Sequence, residues 1–180
     1  KEGDIFIPVW RAQSNKSPWL HETMHILLRS ENGNWNPKSN PMNLFKMPMW
    51  LTEGIAEFLA MKISYDYQIP KFDIFSSGGY SKVDSICNIS LKQGNGPHIL
   101  KCIGEPGIMI KLFTKKRGSF APTFYNCSCS FTKYLVETYG LDKVLYAYTN
   151  YKKEIKTIEE FTGKTMSELR EDWLEKIIQK

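Results

Sequence analysis

Residues 17–28, SPWLHETMHILL, hold two of the three histidines in this 180-residue chain, four positions apart with a glutamate after the first. On a helix, positions i and i+4 differ by about 40° in direction and about 6 Å in height, so His21 and His25 share one face. Two imidazoles so placed can grip one metal ion from the same side. Glu22 is rotated about 100° from His21, within reach of a water at the metal without being a ligand. From the chain's own composition, a chance match to H-E-x-x-H is expected roughly a few times in a thousand.

Two histidines leave such a site incomplete, because a catalytic zinc takes a third protein ligand and keeps one position open. His98, the remaining imidazole, lies in a Gly/Pro-rich stretch. Glu53 is the better candidate, within 50–62, WLTEGIAEFLAMK. There Trp50, Leu51 and Ile55 would bury a second helix, and Gly54 would let it approach the first closely. Glu57, one turn on, competes for the ligand role or orients a histidine from behind.

The elements that must carry these residues read as mostly helical. A helix over 18–29 is expected, with Ser17 as N-cap and Pro18 at its first position. The turn-rich loop 30–41 follows it, and a second helix starts near Pro48. Helices near 82–92 and 106–113 are weaker expectations. A strong one opens at Pro122 and stops at Gly140. Two more span 141–151 and 154–162, and the last starts at the capping-box pattern Thr165-Met-Ser-Glu168. Only 4–10, DIFIPVW, reads as a strand. The fold class is therefore mainly α, or α+β if a small N-terminal sheet is present, in one domain over 1–180.

Composition fits a packed globular domain: 42% hydrophobic, 24% charged, with Trp19, Trp35, Trp50 and Trp173 along the chain. The net charge of +5 is dispersed. Its densest run, 115–117 (KKR), is too short for a nucleic-acid face. No apolar run approaches the roughly 20 residues of a membrane span. KEGDIFIPVW lacks a signal-peptide core and an initiator Met, so the chain reads as mature, processed or trimmed. Cys87, Cys102, Cys127 and Cys129 follow no zinc spacing and leave open one or two disulfides or buried thiols. The sequons at Asn15, Asn88 and Asn126 are too short a pattern to carry weight.

HETMH followed by WLTEGIAEFLA resembles the gluzincin zinc peptidases, most of all their short peptidase MA-like domains. The likeness continues through Tyr125, Phe131, Tyr134-Leu135 and Tyr139-Gly140 to 162–173, TGKTMSELREDW. It implies a zincin-like fold and one zinc ion held by His21, His25 and Glu53. It also implies a peptide or protein substrate, with Glu22 as general base and Tyr125 as donor to the oxyanion. Tyr134 and His98 are the fallbacks for that last role. The linker from His25 to Glu53 is longer than in the aminopeptidase branch. No GxMEN-type motif precedes His21, which favours an endopeptidase or oligopeptidase. The family's substrate-aligning sheet would come from the strand at 4–10 or from chain upstream. A catalytically silent zincin-like binding or sensor module, and a zinc hydrolase of a non-peptide bond, are the rival readings. Extracytoplasmic location, secreted or in the cell envelope, is the expectation from this peptidase type, with a cytoplasmic place left open. Oligomeric state has no sequence signal.

Overall fold

A computed structural model describes residues 19–30, 48–69, 79–94, 96–105, 120–150 and 153–179. Among them are eight helices and no strand. They are α1 Trp19–Ser30, α2 Met49–Asp66, α3 Val83–Leu91, α4 Gly96–Leu100, α5 Phe120–Tyr139, α6 Leu141–Thr149, α7 Glu154–Thr162 and α8 Met166–Ile178. The expected strand at 4–10, the Ser17-Pro18 cap and the helix at 106–113 lie outside the described residues.

The centre is α2, packed on α1 at one side and on α5 at the other. Its 18 residues are apolar nearly all round, with Trp50, Leu51, Ile55, Ala56, Phe58, Ala60 and Met61 all buried. A helix with buried residues on so many sides must be covered from several directions. The 20-residue α5 supplies most of that cover and also carries α3. Trp50 meets Phe131 at 5.1 Å between ring centroids, and Phe131 meets Trp173 of α8 at 5.3 Å. This aromatic file joins three helices in the main core.

Local chemistry sets the ends. Thr165 and Glu168 form the capping box: Thr165 N–H donates to the Glu168 carboxylate at 2.8 Å, and Glu168 N–H donates to Thr165 Oγ1 at 3.3 Å. Gly140, at φ +99°, makes the turn between α5 and α6 that an L side chain would resist. Pro122 sits at the third position of α5 rather than opening it. A first-turn proline sacrifices no helical hydrogen bond, so Phe120 can start the helix two residues earlier. The five-residue α4 is an addition, hidden by a Gly-Pro pair that reads as a break.

One buried polar network ties α3, α5 and α8. Asp84 accepts from Ser130 Oγ at 2.8 Å and from Lys133 Nζ at 3.0 Å, while Trp173 Nε1 donates to Ser130 Oγ at 3.0 Å. Asp84 and Lys133 are both buried, and their pairing at 3.0 Å offsets part of the cost of burying each charge. We expect Asp84→Ala to cost about 3–5 kcal/mol by taking the nearest carboxylate from a buried ammonium, and Asp84→Ala with Lys133→Met to cost less than the single change. Urea denaturation of the two variants checks both.

Candidate metal centre

α1 and α2 bring His21, His25 and Glu53 to one point. His21 Nε2 and His25 Nε2 are 3.0 Å apart, and each is 3.2 Å from Glu53 Oε2. Among the described residues, these three form the one group able to hold a metal ion. Four donors at about 2.0–2.1 Å around a tetrahedral zinc stand about 3.3–3.4 Å apart. The observed triangle is only a few tenths of an ångström tighter, so the donor set fits.

Glu57 resolves its sequence ambiguity through geometry. It is fully buried on α2 and faces His21 Nδ1 at 2.7 Å. That nitrogen donates to the carboxylate, which leaves the lone pair of a neutral ring on Nε2, directed at the triangle. Glu57 therefore orients a candidate ligand instead of competing with Glu53. His25 has no comparable support: its buried Nδ1 finds no hydrogen-bond partner among the described residues.

The electrostatics show how tightly the groups are coupled without an ion. Burial alone would lower the His21 pKa, but hydrogen bonds to Glu53 and Glu57 prevail and raise it from 6.5 to about 9. Burial would raise the Glu53 pKa, yet its bonds to His21 and His25 bring it from 4.5 down to about 2. A proton on His21 thus stands in for the positive charge a metal would supply.

The remaining candidates fall on both sides of the line. Glu22 follows His21 on α1, half-buried, with no hydrogen bond or ion pair among the described residues. Tyr125 lies near the start of α5 with its ring edge-on to His21, centroids 6.0 Å apart and planes at 86°. Tyr134 is about 13 Å farther along α5, and its hydroxyl donates to Asp172 at 3.1 Å. His98 is exposed on α4. Neither fallback joins the group.

Gly54 also departs from expectation. The backbone it admits belongs to α5, not α1: a Cβ there would meet Thr132 Oγ1 and lie 2.6 Å from the Ser128 carbonyl oxygen. The four cysteines are buried free thiols. Burial pushes Cys87 and Cys129 well above the usual thiol range and Cys102 up to about 11, which leaves them protonated and unreactive.

No family model, curated protein or solved structure matches the chain.

We expect His21→Ala and His25→Ala each to abolish stoichiometric metal uptake, and Glu57→Gln to weaken it by about 10–100-fold, read by metal analysis and calorimetry. In chelated protein, the stabilisation from His21 is complete below pH 6.5 and is lost as pH rises through about 9. That from Glu53 is present above pH 4.5 and is lost as pH falls through about 2. The melting temperature of the chelated protein should accordingly drop between pH 6.5 and 9. Thermal melts across that range test it.

Proposed function

We propose that this protein is a zinc-dependent peptidase of gluzincin type, with a zincin-like fold, acting as an endopeptidase or oligopeptidase. The observation that carries the reading is the convergence of His21 Nε2, His25 Nε2 and Glu53 Oε2, with Glu22 following His21 on α1. Two imidazoles and one carboxylate are a donor set suited to zinc. Zinc held there would polarise a scissile carbonyl and lower the pKa of a water to about 7.

The chain's own residues do the rest. Glu22 takes a proton from the attacking water and returns it to the leaving amine. Glu57 keeps the His21 ring in the tautomer whose Nε2 can coordinate. Tyr125, placed against that ring, offers its phenol to the developing oxyanion. Peptides are the preferred substrates because the resemblance in HETMH, WLTEGIAEFLA and the α5 pattern is to peptidases.

Cleavage of a diverse peptide library by zinc-loaded protein, followed by mass spectrometry, tests the assignment. Wild type should cut, and Glu22→Gln should bind zinc normally while losing at least about 100-fold in rate. Cleavage that survives unchanged in Glu22→Gln would overturn the mechanism. Binding of peptides without cleavage by either protein would favour the silent binding module.

A further inference from the structure

We infer that Gly54 is a positioning residue, whose contact with α5 sets how far Tyr125 stands from the metal-binding group. The inference rests on the peptidase reading for its kinetic part, but its structural part stands on geometry alone.

Gly54 is adjacent to Glu53, and across from it lie Ser128 and Thr132 of α5. Tyr125, Ser128 and Thr132 are spaced i, i+3 and i+7, so they share one face of that helix. The contacts form a closed circuit. Ser128 touches Gly54, Glu53 reaches His21, His21 meets the Tyr125 ring, and Tyr125 lies one turn from Ser128 on α5. All three candidate ligands sit on α1 and α2, whereas Tyr125 sits on α5. Whatever sets the α2–α5 spacing therefore sets the distance between the two halves of the site.

Gly54 sets it at a value that no other residue allows. A Cβ would stand 2.6 Å from a backbone oxygen, where ordinary contact begins at 3.4 Å. The obstacle is main chain and cannot rotate away, so the helices must separate by something under about 1 Å. α1 and α2 pack on each other and would move together, leaving the donor triangle intact. Tyr125 would be left behind. A misplacement of that size in a reacting group can cost about 100-fold in rate. A glycine inside a helix otherwise lowers stability relative to alanine, so its presence here needs a packing reason.

The test is a cycle of wild type, Gly54→Ala, Tyr125→Phe and the double variant, each loaded with zinc and assayed for zinc affinity, kcat and KM. Gly54→Ala should keep zinc affinity within about threefold and lose kcat by about 10–100-fold. It should cost almost nothing further in the Tyr125→Phe background, because its effect passes through the phenol. Losses that multiply, or a loss of zinc affinity as large as the loss of kcat, would overturn the inference. Should Gly54→Ala not fold, Gly54→Ala with Thr132→Ala removes the side-chain clash but keeps the one with the Ser128 carbonyl, and the same cycle applies. Absence of cleavage by wild type would defeat the peptidase reading and leave the structural claim to be read by NMR. Zinc-loaded wild type should show a nuclear Overhauser contact between the Tyr125 and His21 rings, and Gly54→Ala should weaken it severalfold with zinc still bound. An unchanged intensity in Gly54→Ala would sink the claim.

Discussion

A carboxylate with no access to water needs a partner, and Glu57 is such a carboxylate. It is fully buried on the central helix α2, where an unpaired charge costs several kcal/mol. His21 Nδ1 at 2.7 Å meets that demand and in doing so turns its other nitrogen toward His25 and Glu53. The requirement for pairing and the orientation of the site are one interaction. It also fixes how α1 sits on α2, because the small apolar cluster between them, Leu20 and Met24 against Ala56 and Ala60, has little directional character of its own.

Around this pair the protein divides its work between two sides of α2. One side holds α1 and the His21, His25 and Glu53 group that could hold a metal ion. The other is pressed against α5 through a notch at Gly54 and an aromatic contact between Trp50 and Phe131. α5 in turn is anchored away from the site by the Asp84–Lys133–Ser130 network and by Trp173. The end of α5 that carries Tyr125 is therefore backed by the rest of the helix, which is tied to α3 and α8.

Much of the site could be read from residue spacing because helices repeat. His21 and His25 had to share a face once α1 was a helix, and Glu53 followed from the apolar run around it. Spacing could not decide what Glu57 does, since the same i+4 step serves a ligand or its support until the neighbouring helix is known. It also misdirected Gly54: small residues announce a close approach without naming the partner, and the partner proved to be α5. Tyr125 came from family resemblance, not from periodicity, which treats an aromatic in a helix as core. α4 was lost for a local reason, since Gly96-Pro97 looks like an interruption. The thiols were undecidable because nothing in four cysteines distinguishes a bridge from burial.

The candidate ligands come from segments 28 and 32 residues apart in the chain. An ion shared among them acts as a cross-link between distant parts of the polypeptide, but one whose strength is set by supply. By mass action, free metal at 100 times its dissociation constant adds about 2.7 kcal/mol to the folded state, and at the dissociation constant adds only a few tenths. That span is a large fraction of the net stability of an ordinary domain. The lifetime of this fold in its surroundings would then track the metal concentration there, whether or not any substrate is present.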